Sequence, residues 1–186
     1  MPFIQTGIPG LLVFEPRVFE DSRGHFFESY NAGTFLQQGI RLQFVQDNQS
    51  KSTYGVIRGL HFQNHPHAQA KLVRAIIGTI LDVAVDIRVG SPTYGKVFSV
   101  ELSAENKKQL MIPAGFAHGF SVLSDIAEVL YKCDNYYNKE SEGGIIYNDP
   151  ELDIDWKIPA DKAIVSEKDL QNKLLSQQSS KFTFEG

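Results

Sequence analysis

Short apolar runs separated by turn residues recur along the whole chain, a pattern that predicts many strands and few helices. The clearest stretch is residues 71–88, where Gly78-Thr79 separates two runs rich in β-branched residues. In its second half Leu81, Val83, Val85 and Ile87 alternate with Asp82, Ala84, Asp86 and Arg88. This period of two predicts a hairpin with one apolar face and places Asp82 and Asp86 on the solvent side. If Asp82 is instead buried, it needs a histidine to orient or a cation to pair with. Further strands are expected at residues 11–15, 25–30, 41–48, 56–62, 96–102, 109–112, 119–123 and 127–134, with turns at 90–92 and 103–106. Helix is expected only near 34–38 and in a carboxyl-terminal piece that follows Ser166 and carries Leu170, Leu174 and Leu175. Ser166 and Asp169 resemble a capping box, with Asp in place of the usual Glu or Gln. Many short strands within 186 residues, 42% of them hydrophobic, predict one all-β domain over residues 1–186, built as a sandwich, barrel or jelly roll.

Charge and cysteine content narrow the function. With 22 acidic against 18 basic residues the formal charge is -4, so no broad positive field exists to hold a nucleic acid, and an anionic ligand must be caught locally. Cys133 stands alone, which excludes an internal disulfide framework and suits a reducing compartment such as the cytoplasm. The first residues have neither the basic start nor the apolar run of a signal peptide, and no apolar run is long enough to cross a bilayer, so a soluble protein is expected.

Several residues are candidates for chemistry. In Arg58-Gly59-Leu60-His61-Phe62-Gln63 a guanidinium and an imidazole lie three apart, hence on opposite faces of a regular strand. A bulge at Gly59 would turn both toward one cavity. The alternative is a partly buried histidine with an ordinary hydrogen bond. Lys71 and Tyr131 interrupt apolar strands. Turned inward they need an anion and a hydroxyl partner respectively; at an edge their polar ends would reach water. Pro113-Ala114-Gly115-Phe116-Ala117-His118 resembles the second motif of the cupin superfamily, in which a turn delivers the histidine into the barrel. Asp82 is the expected carboxylate to orient that His118. His65-Pro66-His67 offers a pair of metal ligands, but Ala68-Gln69-Ala70-Lys71 follows with a cation and no glutamate, so no metal is expected there. His65 and His67 then read as loop residues, and His25 as an exposed one.

A longer series of phrases is more specific. Asp21-Ser22-Arg23-Gly24-His25-Phe26-Phe27-Glu28-Ser29-Tyr30, Phe44-Val45-Gln46-Asp47-Asn48-Gln49-Ser50, Arg58 to Gln63, Gln69-Ala70-Lys71-Leu72-Val73-Arg74, Asp82 to Arg88, Ile112 to Phe120 and Leu130-Tyr131-Lys132 follow one another in order. Together, over residues 8–175, they resemble the dTDP-4-dehydrorhamnose 3,5-epimerase family. The resemblance implies a cupin-like jelly roll, a homodimer, no cofactor, and a dTDP-4-keto sugar as substrate, epimerised on the way to dTDP-L-rhamnose. It also implies His61 as base, Tyr131 as acid, Lys71 as the cation at the ketone oxygen and Asp169 as the partner of His61. That last role competes with the capping box for one side chain. Arg23, Glu28, Gln46, Asn48, Arg58, His118, Glu142 and Lys168 would surround the nucleotide sugar, and the ring of Tyr137 would stack on thymine. A relative that inverts a single carbon, a metal-dependent cupin using His65, His67 and His118, and a non-catalytic sugar-binding cupin are the alternatives.

Overall fold

The computed structural model describes residues 2–178 and 182–184. Two six-membered groups of strands face each other. The first sheet runs in the order β1 (Phe3–Gln5), β2 (Leu12–Phe14), β10 (Gln109–Ile112), β7 (Lys71–Ile77), β12 (Ile126–Cys133) and β5 (Gln46–Thr53). The second runs β13 (Glu142–Gly144), β6 (Val56–Gln63), β11 (Phe116–Val122), β8 (Thr79–Asp86) and β9 (Val97–Ser103), with β14 (Ile164–Val165) added in parallel to β6. A separate hairpin, β3 (Phe19–Asp21) and β4 (Gly24–Phe26), stands apart from both. This is the expected jelly roll of cupin type. Its helices are short: α1 (Ala32–Gln37), α2 (Glu167–Leu170) and single 3₁₀ turns.

Residues 71–88 do not form the expected hairpin. β7 pairs with β10 and β12, whereas β8 pairs with β11 and β9, so the chain passes from one sheet to the other at Gly78. Gly78 has φ +71°, and a Cβ there would lie 2.0 Å from the carbonyl oxygen of Ile126. A sheet corner and a hairpin turn make the same local demand for glycine, so alternation alone does not separate them.

The alternation along β8 is real, but its polar side is the interior. Ile80 and Ala84 belong to the core between the sheets, with Val73, Phe120 and Val129, and they share their face with Asp82 and Asp86. Leu81, Val83, Val85 and Ile87 face outward and are covered by Ile145, Leu152, Trp156 and Leu175 from the carboxyl-terminal segment. Both aspartates are therefore fully buried, contrary to the solvent-face expectation. Asp86 is satisfied there by Arg88, Ser91 and Thr93, whose side chains donate to it at 2.6–2.8 Å. A third apolar cluster, including Leu12, Phe14, Phe35 and Leu72, packs α1 against the outer face of the first sheet.

Other strand boundaries move for identifiable reasons. Strand at 25–30 stops at Phe26, and residues 41–45 precede the β5 ladder because Leu42 and Phe44 pack beside Phe35. The carboxyl-terminal helix is only Glu167–Leu170; Leu175 instead joins the outer core of the second sheet.

The Gly59 bulge exists. Arg58 lies opposite Phe120 and His61 opposite His118, so Gly59 and Leu60 together oppose Gly119. Because directly opposed residues share a face, Arg58 and His61 both turn into the space between the sheets. Gly59 has φ +128°, and a Cβ there would sit 2.5 Å from the Cα of Gly119. Gly59→Ala is expected to cost about 3 kcal/mol or more, from backbone strain plus a clash that only backbone movement relieves. Denaturant unfolding checks this, and an unchanged midpoint would contradict the close approach.

Candidate active site

The bulge delivers His61 to the wall of a cavity of about 270 Å³, lined also by Gln46, Asn48, Gln63, Lys71, Tyr131 and Glu142. His61 comes from the second sheet, whereas Tyr131 on β12 and Lys71 on β7 come from the first. Tyr131, Lys71 and Cys133 share the inward face with Val73 and Val129. Imidazole and phenol thus stand on opposing walls. The Lys71 Nζ lies 5.9 Å from the centre of the Tyr131 ring.

The nitrogen Nε2 of His61 is 2.7 Å from Oδ1 of Asp169, whose carboxylate is almost wholly buried. A carboxylate only accepts, so Nε2 carries the proton and Nδ1 carries the lone pair. Asp169 Oδ2 accepts from the Gly59 backbone N–H at 3.5 Å. Burial works to raise the pKa of Asp169, but its bonds with His61, Gly59 and Ser166 outweigh that and hold it below the usual carboxylate range. The expected competition with helix capping does not arise. Ser166 Oγ accepts from the backbone N–H of Asp169, so the cap is made through the backbone while the carboxylate bonds His61.

Lys71 is pushed below the ordinary lysine value by burial, partly opposed by Cys133, Asp82 and Glu142. Tyr131 is pushed up, first by burial and then by Cys133, with Arg58 opposing. The raised phenol is protonated at neutral pH and so has a proton to give across the cavity from His61. His118 lies deeper than expected. It is buried, with Nε2 2.7 Å from Asp82 Oδ1, as the expectation that Asp82 orients His118 requires, and it does not line the cavity. Asp82 Oδ2 is buried without a hydrogen-bond partner, and its charge acts on Lys71.

Beyond His61 a second hollow of about 380 Å³ holds Arg58, Lys168 and Asp169. Arg58 Nε donates to Ser52 Oγ at 3.0 Å. Lys168 Nζ donates to Glu142 Oε1 at 2.6 Å, and Tyr137 donates its hydroxyl to Glu142 Oε2 at 3.2 Å, so these three side chains meet at the cavity rim.

The comparisons with known proteins agree with this geometry. The family described as dTDP-4-dehydrorhamnose 3,5-epimerase matches residues 5–177. The chain belongs to this epimerase family. An epimerase of that name from Shigella flexneri is 54% identical over 174 residues, covering 93% of this chain and 95% of the relative. The crystal structure of a dTDP-6-deoxy-D-glucose-3,5-epimerase from Legionella pneumophila, in complex with dTDP-4-keto-L-rhamnose, superposes with a TM-score of 0.94 at 46% identity, over 99% of this chain and 98% of that one. A 3'-monoepimerase from Streptomyces bikiniensis, in complex with dTDP-quinovose, has a TM-score of 0.83 at 32% identity, over 91% of this chain and 85% of that one. Membership makes the chain an isomerase.

Of the residues expected around an epimerase substrate, the fold gathers His61, Tyr131, Lys71, Asp169, Gln46, Asn48, Arg58, Tyr137, Glu142 and Lys168. Arg23 and Glu28 stay away from both hollows. Arg23 is on the β3–β4 hairpin, highly exposed and ion-paired with its neighbour Asp21, and Glu28 accepts from Asn31 near α1. His65, His67 and His118 do not converge: His65 packs on Phe182, His67 bonds Ser141, and among the described residues no group of three or more His, Cys, Asp or Glu is placed to hold a metal ion. Among the described residues, no helix is long and apolar enough to cross a membrane. Gln63 and Gln69 also line the cavity; their signal in the sequence is that they end and begin two of the phrases that resemble the family.

Proposed function

We propose that this cavity epimerises dTDP-4-dehydro-6-deoxy-D-glucose at carbons 3 and 5, giving dTDP-4-dehydro-L-rhamnose. The observation that carries the reading is the placement of His61 and Tyr131 on opposing sheets with Lys71 beside the phenol. The ketone at carbon 4 acidifies both neighbouring hydrogens, and in a D-gluco ring these two hydrogens lie on the same face. One base can therefore serve both centres. His61 Nδ1 takes the proton from carbon 3; the electron pair moves to the carbon 4 oxygen, and Lys71 stabilises the resulting enolate. Tyr131 then donates its proton from the other face, inverting the carbon. Solvent restores the neutral imidazole and the phenol, and the same steps at carbon 5 complete the product. Asp169 holds the tautomer and stabilises the imidazolium. Arg58 and Lys168 supply cations for the diphosphate, Gln46, Asn48 and Glu142 contact the bound molecule, and the exposed ring of Tyr137 offers a stacking face to thymine. Buried His118 supports the cavity floor through Asp82.

A single inversion, as the name of the Streptomyces bikiniensis relative states for that protein, is the competing outcome. Incubation with the keto sugar in deuterated water distinguishes them. Label at both carbons supports the double epimerase; label at one carbon contradicts it.

We also propose that the chain acts as a homodimer whose second subunit brings Arg23 and Glu28 to the site. The hairpin that carries Arg23 exposes Phe19 and Phe26 by 51% and 68%, an apolar surface unusual for a free hairpin. Sedimentation should give twice the mass of one chain, and a monomer at assay concentration would contradict this.

The depressed Lys71 has a kinetic consequence. Lysine stabilises the enolate only while protonated, so kcat/KM is expected to fall as pH rises through a pKa below the 10.5 of an ordinary lysine. Tyr131, shifted the other way, stays protonated over that range. Lys71→Arg should remove this alkaline limb, and its persistence in the variant would assign it elsewhere.

A further inference from the structure

Tyr137 is 53% exposed and belongs to no apolar cluster, so packing does not fix its ring. Its hydroxyl is tied to Glu142, and the loop that carries it is held by its backbone. Gln69 Nε2 donates to the Asn135 carbonyl at 2.7 Å, the Tyr137 N–H donates to Gln46 Oε1 at 3.2 Å, and the Asn138 N–H donates to Gln63 Oε1 at 3.0 Å. Three glutamines from separate segments thus grip one loop at near-successive backbone groups. A backbone N–H can only donate, so the amides of Gln46 and Gln63 have one allowed orientation. Gln46 then presents Nε2 to Asn48 Oδ1 at 3.0 Å, which ties the grip to the cavity wall. The segment that precedes Lys71 completes the bracket: the Ala70 N–H donates to Asp134 Oδ1 at 2.7 Å and Asn135 Nδ2 to the Pro66 carbonyl at 3.2 Å.

We infer that Gln63 and Gln69 are positioning residues, which act by holding Tyr137 at the cavity mouth where it meets the nucleotide base. The loop around His65-Pro66-His67, left without a role by the chemistry, becomes the frame of this clamp. With the loop backbone held by the glutamines and the hydroxyl held by Glu142, the ring loses little conformational freedom when a base stacks on it, so the clamp should contribute to nucleotide affinity rather than to proton transfer. The inference rests on the reading of Tyr137 as the stacking residue.

Calorimetric titration with dTDP tests it, using Gln63→Met, Gln69→Met, Tyr137→Ala and the two double variants, with circular dichroism to show that each is folded. The expected result is about tenfold weaker dTDP binding in each glutamine variant, a matching rise in KM with kcat changed less than twofold, and no further loss when Tyr137→Ala is already present. Gln69 is partly exposed, so Gln69→Met carries the test if Gln63→Met does not fold. Glutamine variants that bind dTDP like the unaltered protein while Tyr137→Ala binds weakly would overturn the clamp and leave the stacking reading intact. Equal losses with and without Tyr137 would overturn it too, because the glutamines would then act on the nucleotide directly. A Tyr137→Ala protein with normal dTDP affinity would remove the stacking role and the clamp together.

Discussion

His61→Ala is expected to slow exchange of the carbon 3 and carbon 5 hydrogens with solvent by about 10³-fold, within the range a positioned general base contributes. Affinity for dTDP should change by less than a few-fold, because Arg58, Lys168 and Tyr137 are untouched. The substitution also strips Oδ1 of Asp169 of its partner, and the carboxylate is nearly buried. Stability should therefore fall by about 1–3 kcal/mol, the usual cost of an unsatisfied buried polar group. A fully folded variant with normal exchange would remove His61 from the reaction. Loss of dTDP binding alongside exchange would instead make it a structural residue.

Asp169→Asn should be nearly as damaging, for a reason visible in the hydrogen bonds. Two nitrogens face the carboxylate: the Gly59 N–H on Oδ2 and His61 Nε2 on Oδ1. An asparagine gives its oxygen to the Gly59 donor and so points its amide N–H at Nε2. That forces the His61 proton onto Nδ1, the nitrogen that must accept the proton from substrate. The rate is expected to drop about 10² to 10⁴-fold, the scale seen when a carboxylate that fixes a catalytic histidine is turned into an amide. Ser166 keeps its bond to the Asp169 backbone N–H, so the cap of α2 survives and stability changes little. Measurement of kcat and the unfolding midpoint on the same preparation checks both statements. A rate within threefold of the unaltered enzyme would mean that Asp169 serves the fold alone.

These expectations rest on features that the sequence revealed unevenly. Gly59 was informative because a glycine inside a strand, flanked by Arg58 and His61 at an awkward spacing, makes sense as a bulge. Asp82 was informative for a similar reason, since a carboxylate in an apolar strand needs a partner, and His118 is that partner. The destination of β8 was hidden. Its alternation correctly separated two faces, but both faces of that strand are buried, one by the opposite sheet and one by the carboxyl-terminal segment. Local pattern cannot distinguish water from a distant stretch of chain, so alternation alone predicts the outer face where the structure has the inner one. The sheet change at Gly78 was concealed by the same locality. Asp169 shows a different limit: a capping motif identifies which residues take part, but not that the backbone of one can satisfy the helix while its side chain reaches 108 residues back in the chain to His61. The clamp on Tyr137 could not be read at all before the fold was known, because its three glutamines are joined only through tertiary contacts.

The division of labour between the two walls is the central claim, and Tyr131→Phe tests it most directly. With substrate in deuterated water, the phenylalanine variant keeps the base but lacks the acid on the opposite face. His61 should still remove each proton and return a deuteron to the same face, so label is predicted to enter carbons 3 and 5 while inversion falls by at least about 10²-fold. Loss of exchange and inversion in equal measure would contradict the account, because Tyr131 would then be needed to form the enolate rather than to reprotonate it.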